Sequence, residues 1–312
     1  MTGNAFTAVI DDTMTAPNIG EPEEDMFRLA RHLGLDIQGF HTFGDAAEFP
    51  QLQREAWDAA RTALDRGLPV FAKELDLGNE TSLIYAYDAD GYYTHSWHGG
   101  KGHEGSDAVI PWTELGRNYC PCSSCRARAS SGDRPSDGVY TGDPGYGGFV
   151  SLHWASAAEP SDARRALGAA LDFALSFSRR GAYGWGGRTF YSGPAAYGKW
   201  IGLLRSNAIQ SFYMGYFIDL FHESRLYAYR FLLEASEHFD GRPGDELRTA
   251  AEHYGVIAKN FQSLNKLFPW MQPHAPIDDP DRRREAVELL TGIRQLEEEG
   301  WGLLERLLTW VR

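Results

Sequence analysis

The sequence predicts an α+β protein, with an antiparallel sheet and flanking helices in its N-terminal half and an almost wholly helical C-terminal half. Three observations predict it. Between Leu68 and Leu115, three short runs rich in β-branched and aromatic residues (69–75, 82–87 and 91–97) are separated by Gly78-Asn79 and by Asp88-Ala89-Asp90-Gly91. That is the punctuation of consecutive antiparallel strands joined by tight turns. From about residue 189, apolar residues recur with helical period over 193–206, 207–238, 243–268 and 281–311, with Pro or Gly between the stretches. The Gly- and aromatic-rich segment 179–192 lies between the two patterns and sets the expected division, residues 1–180 and residues 190–312.

The remaining elements follow in order. Residues 21–34 predict a helix: acidic residues fill the first turn, Met26, Leu29, Ala30 and Leu33 form a stripe, and Gly34 supplies the stop. Residues 35–43 alternate apolar and polar, as a half-buried strand does. Residues 50–66 predict a second helix, with Leu52, Trp57, Ala60 and Leu64 on one face. Residues 116–147, rich in Gly, Ser, Asp and Pro, predict a long loop that holds all three cysteines. Residues 148–154 predict a returning strand, and 161–177 a helix capped by Ser161. The strong stripe of the last helix is read as core packing.

Composition excludes several classes. With 43% hydrophobic and 13% aromatic residues the chain is globular rather than disordered. A formal net charge of −13 and a pI near 5.2 repel phosphate backbones and anionic membranes. No apolar run approaches the roughly 18–20 residues that a membrane helix needs. The first residues lack a basic stretch followed by an apolar one, so the expected location is the cytoplasm.

Several groups could carry chemistry. Cys120, Cys122 and Cys125 lie within six residues, too close for a disulfide framework. Three thiolates so spaced can face one zinc ion, with His98 as candidate fourth ligand from the loop HSWHGGKGHEG (95–105). Three reduced thiols on a loop, or one thiol activated by a histidine, are the other readings. His95 suits general-base work. The GGKG within that loop lacks the ending and the following helix of a phosphate cradle. Glu80, Tyr85, Tyr87, Asp88 and Trp97 sit on or beside the strand block. Tyr85 and Tyr87, two apart, would share one sheet face, and Asp88 opens a hairpin turn. In the segment between the halves, Trp185 and Tyr191 could wall a pocket or simply pack, and Arg188 could anchor an anion.

The stretches GLPVFAKEL, TSLIYAYDADGYY and VIPWTELG (67–75, 81–93 and 109–116), with Gly3-Asn4-Ala5-Phe6 and SGPAAYGKWIGLL (192–204), carry a resemblance. Together they resemble bacterial papain-like cysteine peptidase domains of the bacteriocin-processing type, and among these the butirosin-biosynthesis protein H N-terminal group. The resemblance implies a papain-like antiparallel sheet followed by a helical region, and acyl transfer onto an amine in natural product biosynthesis. It implies a cleft along the strand edge that carries Glu80, Tyr85, Tyr87 and Asp88. With the residues read above, Glu80, His95 and Asp88 are the candidate catalytic residues, and Tyr85, Tyr87, Trp97, Trp185, Arg188 and Tyr191 the candidate substrate-binding residues. The sequence departs from the family at two points. The family's nucleophilic Cys lies upstream of the segment matched at Gly3, and its His falls where this chain has Asn79-Glu80-Thr81. A thiol needs a nearby base or a depressed pKa to act.

Two functions are therefore expected. One is a bacterial protein of specialised metabolism that binds a small amine or acyl substrate, with acyl or amide transfer as its chemistry. The other is a catalytically degenerate binding or scaffold protein with a structural zinc. Expected partners are the small-molecule substrate, an acyl carrier protein and a second copy in a homodimer.

Overall fold

The computed structural model of the chain describes residues 3–14, 21–73, 75, 81–95, 109–117, 148–185 and 188–312, apart from the side chains of residues 21–23. In chain order the strands and α-helices are β1 (Val9–Asp11), α1 (Glu21–Leu29), β2 (Leu35–Phe43), α2 (Phe49–Asp65), β3 (Val70–Lys73), β4 (Thr81–Tyr87), β5 (Gly91–Thr94), β6 (Ile110–Pro111), β7 (Phe149–Ala157), α3 (Ala163–Ser178), β8 (Ala182–Trp185), β9 (Arg188–Ser192), α4 (Pro194–Arg205), α5 (Ser211–Ser236), α6 (Arg242–Leu267) and α7 (Pro280–Val311). The protein is α+β. Among the described residues no helix is long and apolar enough to cross a membrane.

The chain forms two compact units. One is Gly34–Ala158, here the sheet unit; the other, the helical unit, joins Met1–Leu33 to Glu159–Arg312. The segment 179–192 lies inside the helical unit, whereas the sequence puts a boundary there. The reason is long-range pairing: β1 hydrogen-bonds antiparallel to β9, with Val9 opposite Ser192 and Asp11 opposite Phe190, and β8 completes a three-stranded sheet. The sheet unit is thus inserted between the two parts of the helical unit, and its own ends meet where the Ala158 N–H donates to the Gly34 carbonyl at 2.9 Å. Inserted units are tolerated where their termini lie close together.

The sheet unit is a six-stranded antiparallel sheet in the order β2-β7-β3-β4-β5-β6. Its meander β3–β4–β5 is the one that the strand-and-turn pattern predicts. Helix α2 covers one face because its apolar residues recur every three to four positions: Phe49, Ala56, Trp57, Ala60 and Ala63 are buried against Val70, Ala72, Ile84, Tyr92, Val150 and Leu152. The Trp57 ring stands edge-on to Tyr92 and Tyr87, with centroids at 4.9 and 5.7 Å. Buried Gln53 donates to the carbonyls of Thr113 (2.5 Å) and Leu115 (2.7 Å), fastening the turn after β6 to the helix. Gly91 allows β6 to approach, since a Cβ there would stand 1.8 Å from the Ile110 carbonyl oxygen.

The helical unit buries a core from α3 to α7. Trp200 of α4 lies among Phe217, Phe221 and Phe261, with centroids 5.7–6.4 Å away. The N-terminal segment is built into this core: Phe6 packs edge-on to Tyr254 at 5.0 Å, and Arg225 donates to the carbonyls of Ala5 and Thr7 at 3.0 and 2.9 Å. Two local expectations are corrected. Asp162, not Ser161, caps α3, accepting the Arg165 N–H at 2.8 Å, while the Ser161 hydroxyl lies 2.9 Å from His32 Nδ1. Leu33 is 53% exposed because α1 ends at Leu29 and the chain continues as a 3-10 turn, which rotates Leu33 off the buried stripe.

Candidate functional site

The face of the six-stranded sheet opposite α2 carries Tyr85, Tyr93 and His95 as ring neighbours. Alternation along β4 places Ser82 and Ile84 toward α2, and Thr81, Leu83 and Tyr85 on the opposite face. At Tyr85 the register shifts. Ile84 pairs with Thr94 and Ala86 with Tyr93, so Tyr85 is the extra residue of a β-bulge. The bulge reverses the alternation, and Tyr87 turns to the α2 side, against Trp57. Tyr85 and Tyr87 therefore lie on opposite faces, although two-residue spacing predicts one face.

On the face away from α2, the Tyr85 ring lies 5.2 Å from the His95 ring and 6.4 Å from the Tyr93 ring. Leu83 and Tyr85 are each 55% exposed. The Tyr93 hydroxyl donates to Asp88 Oδ2 at 2.8 Å. Asp88 Oδ1 accepts the N–H groups of Asp90 (2.8 Å) and Gly91 (3.1 Å), closing the hairpin turn. The Asp90 N–H and then the Tyr93 hydroxyl hold the Asp88 carboxyl below its ordinary pKa, and the same bond raises that of Tyr93. Both Asp88 oxygens are thus engaged, one in closing the turn and one by Tyr93, and the carboxylate is a fixed negative charge on this face.

Neighbouring strands extend this face with residues that sequence reasoning missed. Phe71 of β3 stacks on His153 of β7 at 5.3 Å. His41 of β2 lies 5.8 Å from His153, ring to ring, and its Nδ1 is 3.2 Å from the Ser151 hydroxyl. Burial, then the positive potential of His41 and Lys73, pushes His153 down to about pKa 3. A histidine beside a serine hydroxyl is a base–nucleophile pairing in outline. Both side chains are buried, which denies a substrate direct approach. The available signal was the period-2 alternation of 35–43 and 148–154, but not which strands pair.

The other expected site residues are dispersed. Trp185 and Arg188 are cross-strand partners in the β8–β9 hairpin of the helical unit. The Arg188 guanidinium lies 3.4 Å from the buried Asp11 carboxylate, which also accepts the Thr13 hydroxyl at 2.5 Å, so this arginine is engaged within the fold. Tyr191 lies between Ala182 and Ile10 in the three-stranded sheet, with the Lys199 ammonium 5.5 Å from its ring. Tyr183, Phe190, Tyr197 and Trp200 are buried core residues rather than pocket walls. Glu80, Trp97, His98, Cys120, Cys122 and Cys125 lie outside the described residues. Among the described residues no group of three or more His, Cys, Asp or Glu is placed to hold a metal ion.

Compared with protein-family models and with curated proteins, the chain matches none.

Proposed function

We propose that this chain is a small-molecule-binding protein that takes an organic amine on the aromatic face of its six-stranded sheet. The observation that carries the reading is the Tyr85–Tyr93–His95 group with the Asp88 carboxylate fixed beside it. Ring faces attract a cation through their quadrupole, and a nearby carboxylate adds a charge-assisted acceptor. The net charge of −13 favours a cationic ligand over an anionic one. The exposure of Tyr85 leaves its ring face available to solvent.

A papain-like scaffold for the sheet unit is part of the reading. Its support is the resemblance of the strand segments, together with an antiparallel meander that carries one long helix on a single face. Acyl transfer would need an activated nucleophile, and the cysteine cluster lies outside the described residues. The proposal therefore rests on recognition of the amine, not on turnover.

Calorimetric titration with a panel of primary amines, each paired with its N-acetyl derivative, tests this. Saturable binding of an amine, lost on acetylation and weakened at least ~10-fold by Tyr85→Ala, is the expected result. Equal binding of acetylated and free forms, or an unchanged affinity in Tyr85→Ala, refutes it.

A further inference from the structure

The connection between α6 and α7 forms a tile on the first turns of α5. Residues 268–277 lie close because Gly215 has no side chain; a Cβ there would stand 2.8 Å from the Pro269 carbonyl oxygen. The Ser211 and Phe212 N–H groups donate to the carbonyls of Ala275 (2.8 Å) and Pro273 (3.1 Å). Arg282 fastens the other side, donating to the Leu267 carbonyl and to Gln272 Oε1, with its guanidinium 3.9 Å from the Phe268 ring centre. So held, the connection keeps Met271 at a φ of 72°, a conformation that a bulky side chain rarely adopts, and leaves it 72% exposed. Beside it Trp270, 42% exposed, rests on Tyr216 and Phe212 with ring centroids at 5.1 and 5.5 Å. His274 stacks on Phe212 at 3.9 Å. Backbone strain retained to display an apolar side chain to water points to a use for that side chain.

Charge identifies the occupant. Segments 206–218 and 267–277, which make the tile, contain no Asp, Glu, Lys or Arg, in a chain whose residues are 23% charged and whose net charge is −13. In a two-fold contact between identical chains, a patch meets itself, so any net charge on it meets its own sign. The cations that fasten the tile, Arg282 and Arg283, donate to its own carbonyls, so segments with no charge of their own on an acidic body suit such a contact. Aromatic and Met side chains at the centre, with charge excluded, match the core of stable interfaces.

We propose that the tile around Trp270 and Met271 is the centre of a two-fold interface between two copies of this chain. Sedimentation velocity of the full chain across micromolar concentrations tests it. The wild type is expected to reversibly form dimers that tighten as salt rises, because salt screens repulsion between the acidic bodies. Trp270→Glu and Met271→Glu are each expected to weaken the dimer at least ~30-fold. Tyr227→Glu, an exposed aromatic on α5 away from the tile, is expected to leave it unchanged. Circular dichroism confirms folding, and Met271→Glu, altering the more exposed side chain, keeps the test valid where Trp270→Glu does not fold. A wild type that stays monomeric overturns the proposal. So does a dimer that survives both tile substitutions, or one that salt dissociates.

Discussion

Arg225 and Glu297 form an ion pair with both side chains withdrawn completely from water, the arginine Nε 2.5 Å from Glu297 Oε1. The Tyr197 hydroxyl donates to the same carboxylate oxygen at 3.1 Å. Two further arginine bonds go to the backbone of the N-terminal segment, and a third donates to the Tyr197 hydroxyl at 3.5 Å. The pair thus ties α5, α7 and residues 5–7 into one core, and the Glu297 charge holds Arg225 protonated against the cost of burial.

Removing one member strands the other charge. Arg225→Met is expected to lower the stability of the helical unit by about 3–5 kcal/mol, measured by urea unfolding. Combining it with Glu297→Leu is expected to recover at least about 1–2 kcal/mol, since no uncompensated charge remains. A double variant no more stable than the single one contradicts this account.

His153 makes stability depend on pH. Its pKa in the folded protein, about 3, lies below the ordinary value of 6.5. Below pH 6.5 the unfolded chain therefore binds a proton that the folded chain refuses, and stability falls as pH drops toward 3. The slope approaches about 1.4 kcal/mol per pH unit within that window. Replacing the residue, as His153→Leu, is expected to flatten the urea midpoint between pH 6.5 and 4 relative to wild type. Parallel curves for the two proteins would show that the imidazole is not responsible.

Gly91 is expected to tolerate no side chain. Gly91→Ala drives a methyl group into the Ile110 carbonyl, which forces β6 away from β5. The expected cost is roughly 1–3 kcal/mol, with faster amide exchange in β5. Unchanged exchange at Tyr92 would mean that β6 stays paired with β5 and the methyl group is accommodated.

Trp57 is the largest side chain that α2 places on the sheet. Trp57→Ala is expected to cost about 3–5 kcal/mol and to broaden the near-ultraviolet aromatic signal, because Tyr87, Tyr92 and Trp112 all lose a ring neighbour. A loss below about 1 kcal/mol would show that the rings repack around the gap.

Local pattern was legible where local physics decides. The alternation of residues 35–43 coincides with β2, the 3.6-residue stripe at 50–66 with α2 to within one residue at each end, and the four C-terminal stripes with α4 to α7. Strand β9 was not legible, because five residues rich in glycine neighbours carry little periodicity and their partner, β1, lies far away in sequence. The candidate site was legible in part. Tyr85 of β4 and His95, directly after β5, are brought together as neighbours, while one bulge sends Tyr87 to the other face.

What the sequence by itself determined is the α+β class, the helices α1 to α7, the strands β2 to β5 and β7, the hairpin at Asp88 and the acidic charge balance of the chain. Each depends on residues a few positions apart, where period and turn chemistry act directly. Only the tertiary structure decided that the first thirty-three residues belong with the helices and that His41, Ser151 and His153 share a face. It also decided that Arg225 reaches the backbone at Ala5 and Thr7. Those contacts join residues more than a hundred positions apart, and they are set by which surfaces bury together, a property that no local window contains.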